Sequence, residues 1–357
     1  MTPTSKHRED KPLIFARKAA SPSPAPAARL IGLGSYLPPQ TVNNADLAAR
    51  LDTTDEWIRT RIGIAERHIA DPATATSDLA TEAGLRAMKS AEVEHADAVI
   101  LATATADHHV PGTAPVVAHR LGLRHVPAFD LGAGCSGFVY ATTVAAGLIH
   151  AKTAGTVLVI GAEKMSAVID PADRSTAPIF GDGAGAAVLT AGHADEPGAL
   201  GPAAWGSDGE HANAIIIPGG GSRSPSRTTA DLDNLYVHMK GNEVFRHAVR
   251  RITHVTQEAA TAAGWAVQDI DRLIVHQANA RISAAVANGL GIPAERVPSN
   301  IARVGNTSAA SIPLLLSHAA IDGQLKAGHR VVVTSFGAGF TWAATTLLWP
   351  IGLQALV

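Results

Sequence analysis

The sequence predicts an α/β protein built from two similar halves, and two observations support this prediction. From Arg29 onward, apolar segments of strand length alternate with segments of helix length, which is typical of α/β chains with mostly parallel sheets. Three sequence landmarks also recur in the same order 171 to 174 residues later, and one of these pairs is Cys135 with Asn306. We therefore predict an N-terminal half over 29–198 and a C-terminal half over 199–357.

The individual elements follow from the apolar pattern along the chain. The clearest helix places five apolar side chains from Phe245 to Ala263 on one stripe and ends at Gly264. The predicted strands are Leu30–Gly34, Ala98–Thr105, Ala128–Leu131, Val157–Gly161, Ala184–Thr190, Leu273–Val275, Val331–Ser335 and Phe340–Leu348. The predicted helices are Asn44–Leu51, Asp78–Ser90, Ser136–His150, Asn242–Ala263 and Ala309–Asp322.

Composition excludes several classes of function. Of the 357 residues, 46% are apolar and 17% charged, compared with about 25% charged in an average globular chain, so we expect extensive burial. A net charge of −2 gives no basic field for nucleic acid or anionic lipid. No run of 18 apolar residues occurs, so we expect no membrane span and a soluble, cytoplasmic protein. Residues 1–28 lack the apolar core of a signal peptide and are interpreted as a flexible N-terminal extension.

The single cysteine, Cys135, excludes an internal disulfide and a cysteine-cluster metal site. His108 and His109 have no third ligand nearby in sequence, so no metal is assigned. Cys135 follows a predicted strand and a glycine-rich turn and stands where a helix begins. The helix dipole would favour the thiolate and lower its pKa, and the free amides would stabilise an oxyanion. A buried, inert cysteine is an equally weighted alternative from this context alone.

Two further polar residues stand at junctions between a strand and a helix. His276 ends the strand Leu273–Val275, and Asn306 lies in a turn that leads into the next helix. Taken singly, the histidine is more simply a satisfied core residue and the asparagine a helix cap or turn residue. Together with Cys135 they form a nucleophile, a base or proton donor and an amide donor.

From about Leu30 to Trp349 the chain resembles the β-ketoacyl-acyl-carrier-protein synthase III family of the thiolase superfamily. The resemblance implies a five-layered αβαβα fold made of two duplicated halves, which agrees with the repeated landmarks. The matching segments are Gly32-Leu-Gly-Ser-Tyr-Leu-Pro, Asp55-Glu-Trp-Ile-Arg-Thr-Arg-Ile-Gly, Gly134-Cys-Ser-Gly-Phe, Phe180-Gly-Asp-Gly-Ala-Gly-Ala-Ala, Gly241-Asn-Glu-Val-Phe, His276-Gln-Ala-Asn, Gly305-Asn-Thr-Ser-Ala-Ala-Ser and Phe336-Gly-Ala-Gly-Phe.

The resemblance also implies a role for individual residues. Cys135 would be the acyl-accepting nucleophile, with His276 and Asn306 completing a triad that decarboxylates a malonyl thioester. The backbone amides of Cys135 and Ala338 would form the oxyanion hole, and Phe180 would shield the thiol. The substrates would be an acyl-CoA and a malonyl-acyl carrier protein, with no permanently bound cofactor, and the enzyme would be a homodimer. Coenzyme A would contact Trp57, Arg61, Arg174, Asn242, Asn279 and Arg281.

Two positions depart from the family pattern. Val110 stands where many acetyl-specific members carry a phenylalanine that closes the acyl pocket across the dimer interface. One interpretation is a primer that is longer or more branched than acetyl. The other is that neighbouring side chains refill the space. Asn288 and Gly289 stand where basic residues for carrier-protein docking are common. A patch on the preceding helix would replace them. Its members are Arg246, Arg250 and Arg251, together with Arg281.

Two other functions remain open from the sequence. In one of them, the same acyl-cysteine enzyme passes its acyl group to a hydroxyl or amine, as some synthase III-like acyltransferases do, although Asn306 favours decarboxylation. A non-catalytic relative acting as a subunit is the third reading, and the intact triad argues against it.

Overall fold

The computed structural model describes residues 25–225 and 233–357. Most of the predicted flexible extension, residues 1–24, lies outside the described residues. The boundary at residue 28 is wrong, because the first strand begins at Pro26. Ala27 and Ala28 are small, apolar and buried, and they extend this strand alongside Gly192 and Ala191.

The eight predicted strands are all present, with ends that shift by a few residues, and five further strands of the described residues were not predicted. The described strands are β1 Pro26–Tyr36, β2 Thr41–Asn43, β3 Glu66–His68, β4 Ala98–Ala102, β5 Ala128–Leu131, β6 Thr156–Glu163, β7 Gly183–His193, β8 Leu200–Ser207, β9 Ile215–Ile216, β10 His238–Met239, β11 Arg272–Val275, β12 Arg330–Gly337 and β13 Thr341–Leu348.

The five predicted helices are also present, as is the helix expected after His276, together with three additional ones. Their described bounds are α1 Asn44–Ala48, α2 Asp55–Ile62, α3 Thr76–Ser90, α4 Ala114–Arg120, α5 Gly137–His150, α6 Gly241–Ala262, α7 Ala280–Leu290, α8 Ile301–Val304 and α9 Ser311–Ile321.

The two main sheets are mixed, so the prediction of mostly parallel sheets is wrong. The first has the order β1-β7-β6-β4-β5 and the second the order β11-β12-β13-β8. Only the pairs of β4 with β5, β4 with β6, and β11 with β12 are parallel. The sequence reading assumed a crossover helix between successive strands, but β12 and β13 form a hairpin and no α-helix lies between β6 and β7.

The second sheet repeats the order and strand directions of the first. In it, β8, β13, β12 and β11 take the places of β1, β7, β6 and β4. The sequence reading missed β8 because its residues, Leu-Gly-Pro-Ala-Ala-Trp-Gly-Ser, are partly exposed and contain no continuous apolar run. The strands of the first sheet lie within 26–193 and those of the second within 200–348, while the exact division at residue 198 stays a prediction.

The buried apolar side chains form three main clusters that define five layers. One cluster joins α3 and α4 to the first sheet, and another joins α6 and α7 to the second. The third lies between the sheets and contains α5 and α9. Helices therefore cover the outer face of each sheet and fill the space between the sheets, which confirms the five-layered αβαβα fold.

Candidate active site

A cavity of about 570 Å³ collects the three residues that the sequence singled out, Cys135, His276 and Asn306. They come from three separate junctions: the turn after β5, the end of β11 and the turn before α9. His276 and Asn306 are buried and Cys135 is partly accessible. The sequence thus predicted correctly that these side chains share one site.

Cys135 lies in a short 3₁₀ turn over 134–136 that runs directly into α5. Burial raises the pKa of its thiol to about 11, the negative charge of Glu163 adds to this rise, and a hydrogen bond with Ser308 opposes it. This direction is opposite to the lowering predicted from the sequence, because desolvation is the largest influence on the buried thiol. The resting nucleophile is a neutral thiol, and forming the thiolate requires a proton acceptor.

The loop after β12 lies directly against the backbone of this cysteine. A β-carbon on Gly337 would lie 2.5 Å from the backbone nitrogen of Cys135, and one on Gly134 would lie 3.0 Å from that of Ala338. Thr341 fixes the loop, since its hydroxyl donates to the carbonyl of Ala133 at 2.8 Å. Apart from a contact of the Cys135 N–H with its own sulfur, the N–H groups of Cys135 and Ala338 have no acceptor among the residues that the structure describes. Both are therefore free to stabilise an oxyanion.

His276 is held by its backbone, since its N–H donates to the carbonyl of Thr334 at 3.0 Å. Both ring nitrogens are buried and have no hydrogen-bond partner within 25–225 and 233–357. Burial lowers the pKa of this imidazole to about 3, so it is neutral at pH 7. A buried polar ring without a partner is costly, which points to a ligand that completes it.

The buried imidazole makes protein stability depend on pH. The unfolded chain binds a proton at His276 below about pH 6.5, whereas the folded chain excludes it until about pH 3, so this group destabilises the fold as pH falls through that window. Between pH 7 and pH 5, we expect the free energy of unfolding of His276→Gln to fall by about 2 kcal/mol less than that of the wild type. Urea denaturation at both pH values measures this difference, and equal losses would contradict the burial of a neutral imidazole.

Asn306 is clamped on both sides of its peptide unit. Its N–H donates to Ile179 at 2.8 Å, and its carbonyl accepts from Gly181 at 3.0 Å. The N–H of Ser308 donates to its side-chain Oδ1 at 2.9 Å, which fixes the amide orientation. Nδ2 donates to no atom of the described residues. The amide therefore offers a fixed donor to a ligand in the cavity.

Sequence reasoning missed two residues beside the nucleophile, Glu163 and Ser308. Glu163 ends β6 and is fully buried, and the hydroxyl of Ser308 donates to its Oε1 at 2.9 Å. An acidic residue directly after the buried apolar run of β6 is the sequence signal that would have identified Glu163. Ser308 had no comparable signal, because its position depends on the turn after Asn306.

The residues expected to contact coenzyme A are divided between the cavity and its rim. Trp57, Asn242, Asn279 and Arg281 line the cavity. The Arg174 guanidinium lies 5.6 Å from the centre of the Trp57 ring and pairs with Asp52 at 3.2 Å. The structure places Arg61 next to this group, because Asn279 Nδ2 donates to its carbonyl at 3.3 Å. Indole, guanidinium and amide groups thus lie in the cavity lining or beside it.

The part of the cavity near Phe180 is apolar. Phe180 lies in a buried cluster with Met165 and Ile169, and it lines the cavity together with Cys135. Val110 is 86% exposed and does not line the cavity of its own chain. Its predicted role concerns the cavity of a second copy and stays a prediction. Additional apolar lining residues that the sequence reading did not identify are Met165, Ile215, Ile216, Ile217, Val237 and Met239.

The predicted docking patch loses one member. Arg251 donates to Asp208 at 3.2 Å, and its guanidinium stacks 4.2 Å from the centre of the Trp342 ring, so it is engaged within the protein. Arg246 and Arg250 are exposed and form no ion pair with any described residue. Arg281 lies over Phe245, 5.6 Å from the ring centre, which places its charge beside α6. Arg246, Arg250 and Arg281 therefore remain the predicted members of this patch.

Two features are absent from the described residues. No group of three or more His, Cys, Asp or Glu side chains there is arranged to hold a metal ion. No helix among the described residues is both long and apolar enough to cross a membrane.

Comparisons with known proteins identify relatives along most of the chain. Residues 129–209 match a family described as 3-oxoacyl-[acyl-carrier-protein (ACP)] synthase III, and residues 260–349 match its C-terminal domain. β-Ketoacyl-[acyl-carrier-protein] synthase III 3 of Streptomyces coelicolor is 52% identical over 91% of this chain and 98% of its own length.

Solved structures resemble the whole fold. The crystal structure of 3-oxoacyl-(acyl carrier protein) synthase III from Pseudomonas aeruginosa superposes with a TM-score of 0.85 at 47% identity, covering 91% of this chain and 98% of that one. The priming β-ketosynthase from the R1128 polyketide biosynthetic pathway also gives a TM-score of 0.85, at 35% identity, covering 93% of this chain and 99% of that one.

Proposed function

Since the chain belongs to the 3-oxoacyl-[acyl-carrier-protein] synthase III family, we propose that it condenses an acyl-CoA primer with malonyl-acyl carrier protein and so initiates a fatty-acid or polyketide chain. One observation carries the proposal. The ring nitrogens of His276 and the Nδ2 of Asn306 lie unpartnered around the same cavity as the only cysteine. Acyl-CoA is a substrate here, and no resident cofactor is required.

In the first half-reaction the Cys135 thiolate attacks the thioester carbonyl of acyl-CoA. The backbone amides of Cys135 and Ala338 stabilise the oxyanion, since both are free and adjacent. The CoA thiolate leaves, and the acyl group remains on the Cys135 sulfur. Phe180 and its apolar neighbours exclude water from the new thioester.

In the second half-reaction malonyl-acyl carrier protein enters the same cavity. A neutral His276 donates one N–H, and Asn306 Nδ2 donates another, to the thioester oxygen on which enolate charge develops when carbon dioxide leaves. Both donors are fixed before the reaction, so they stabilise this charge more than the uncharged carbonyl. The enolate carbon then attacks the acyl-Cys135 carbonyl and releases the β-ketoacyl product.

The direct test supplies the acylated enzyme with malonyl-acyl carrier protein labelled at the free carboxyl group. We expect one labelled carbon dioxide for each β-ketoacyl product. Transfer of the acyl group to a hydroxyl or amine without carbon dioxide release would instead establish the acyltransferase alternative.

We infer that the protein is a homodimer, and the exposed edge of the first sheet supports this inference. β5 is an edge strand of the first sheet, and its Phe129 is 39% exposed. β8 is an edge strand of the second sheet, and its Trp205 is 49% exposed. Exposed edge strands with aromatic side chains favour pairing with another chain. We infer that a second copy covers this edge and receives Val110 near its cavity. We also infer a cytoplasmic site of action, where both substrates are available.

Val110→Phe is expected to narrow the acyl pocket of the partner. We predict that wild-type protein accepts isobutyryl- or butyryl-CoA at least as well as acetyl-CoA, because isopropyl leaves more space than a phenyl ring. The variant should lose about tenfold in the acylation rate with isobutyryl-CoA relative to acetyl-CoA, the discrimination expected for one or two methylenes. Acylation rates with the three CoA thioesters measure this preference. A strict acetyl preference in the wild type would show that neighbouring side chains refill the space.

Arg246→Glu is expected to weaken carrier-protein docking. The side chain is exposed and has no ion-pair partner in the described ranges, so it can contact an acidic partner. We predict a several-fold rise in KM for malonyl-acyl carrier protein, while acylation by acyl-CoA stays unchanged. Lys89→Glu, an equal charge reversal at an exposed position of α3 in the opposite outer layer, is the control. An unchanged KM in Arg246→Glu would remove this residue from the docking surface.

A further inference from the structure

Glu163 is a buried carboxylate that links the two halves of the fold next to the nucleophile. It stands at the end of β6 in the first sheet, and its Oε1 accepts the hydroxyl of Ser308 at 2.9 Å and the N–H of Ala309 at 3.4 Å from the turn before α9. The N–H of Ala104 donates to both carboxylate oxygens at 3.1 Å. None of the steps above requires a buried charge at this position.

Among the groups that bond to Glu163, the Ser308 hydroxyl is the one that can exchange a proton and also lines the cavity. The N–H groups of Ala104 and Ala309 are donors only. The hydroxyls of Thr103 and Thr105 also bond to Glu163, at 3.2 and 2.7 Å, but neither threonine lines the cavity. The Ser308 hydroxyl is therefore the group that connects Glu163 to the cavity.

Ser308 connects this carboxylate to the reacting sulfur. It adopts a φ of +47°, a backbone conformation that residues other than glycine rarely adopt. Its hydroxyl donates to Glu163 at 2.9 Å, it lines the cavity together with Cys135, and hydrogen bonding from it lowers the pKa of the Cys135 thiol. The strained turn thus places one hydroxyl in contact with both ionisable groups.

His276 is poorly suited to accept the thiol proton. It has no carboxylate or other hydrogen-bond partner among the described residues, and burial lowers the pKa of its ring to about 3. A charged imidazolium would thus be unstabilised in the resting site. Burial acts in the opposite direction on Glu163, whose pKa it raises, so protonation relieves a buried charge there.

We propose that Glu163, acting through Ser308, accepts the proton of the Cys135 thiol when the enzyme is acylated. The S–H bond breaks as Ser308 Oγ takes that proton and passes its own hydroxyl proton to Glu163 Oε1, so the Glu163–Ser308 hydrogen bond reverses and the Ser308 hydroxyl donates to the thiolate. The CoA thiolate leaving in the first half-reaction takes the proton back by the same route, which restores the Glu163 carboxylate. The return of the proton to the CoA thiolate rests on the proposed function, whereas the transfer of the proton from Cys135 to Glu163 does not.

Alkylation of Cys135 by iodoacetamide, followed against pH, tests the transfer without any substrate. We expect Glu163→Gln and Ser308→Ala each to slow alkylation at pH 7 by about 10- to 100-fold, and the double variant to lose no more than either single one. If Glu163 were only a negative neighbour of the thiol, Gln would make the thiol more acidic and alkylation faster. The relay and the simple electrostatic effect thus predict opposite signs.

The controls separate this proposal from the function and from folding. Asp97→Asn changes a carboxylate that accepts the N–H groups of Gly155 and Thr156 away from the cavity, and it should alkylate like the wild type. Alkylation of Glu163→Gln at the wild-type rate or faster would overturn the relay while leaving the acyl-CoA reaction intact. Slow alkylation of Glu163→Gln, together with alkylation of Ser308→Ala at the wild-type rate, would overturn the route through Ser308. Should Glu163→Gln fail to fold, Ser308→Ala alone decides, and its wild-type rate would overturn the proposal.

Discussion

Asn306→Asp is expected to abolish most decarboxylation while leaving acylation of Cys135 within a few fold of the wild-type rate. The carboxylate keeps the size of the amide and still accepts the N–H of Ser308 at Oδ1. It replaces the Nδ2 donor with an acceptor and adds a negative charge where the enolate forms. Removing one such donor typically costs about 10²- to 10³-fold in rate, and we expect at least that loss in condensation.

Two rates decide the outcome for Asn306→Asp: the burst of CoA released on acylation and the steady release of carbon dioxide from malonyl-acyl carrier protein. Asn213→Asp is the matched control, because that side chain is exposed and lies outside the cavity lining. If both rates of Asn306→Asp fall equally, the residue has a structural role only. If carbon dioxide release falls less than about fivefold, its amide is not the donor to the enolate.

Gly337→Ala is expected to eliminate the acylation of Cys135. A β-carbon at this position would lie 2.5 Å from the Cys135 nitrogen and 3.0 Å from the Ser136 nitrogen, and both are backbone atoms that cannot rotate away. The loop carrying Ala338 must therefore move away from the nucleophile, which separates the two amides of the oxyanion hole. We expect a loss of about 10²-fold or more in acylation rate, measured by CoA release.

Gly147→Ala provides the matched control for this substitution. Gly147 lies in α5, and no atom stands within 4 Å of the added carbon. Alanine in a helix interior is favoured over glycine by about 0.5–1 kcal/mol, so this variant should be active and at least as stable. A Gly337→Ala protein that is folded and acylated at the wild-type rate would show that the amides of Cys135 and Ala338 need not be adjacent.

The fold was predictable where local pattern and repetition agree. The apolar runs identified the central strands, and the recurrence that pairs Cys135 with Asn306 predicted two similar halves. Strand direction was not predictable from the same pattern, because an apolar run reads alike in parallel and antiparallel pairs. The edge strand β8 escaped detection since it is half exposed and packs on one side only.

The site was predictable where a residue type is rare and stands at a strand end. Cys135, His276 and Asn306 met that condition and do share the cavity. The protonation of the thiol depends on burial and on Glu163, which come together only in the folded protein, so the expected lowering of its pKa was wrong. The ion pair of Arg251 was not predictable either, because its partner Asp208 lies 43 residues away in sequence.

Mass spectrometry of Cys135 in a double-mixing experiment tests the central claim most directly. The enzyme is first mixed with isobutyryl- or acetyl-CoA and then with malonyl-acyl carrier protein, and the peptide containing Cys135 is analysed after each step. We predict an acyl mass on Cys135 after the first step and its disappearance after the second, with one β-ketoacyl-carrier protein formed for each acyl group lost. An acyl group on another residue, or a Cys135 that stays unmodified while product forms, would contradict the account.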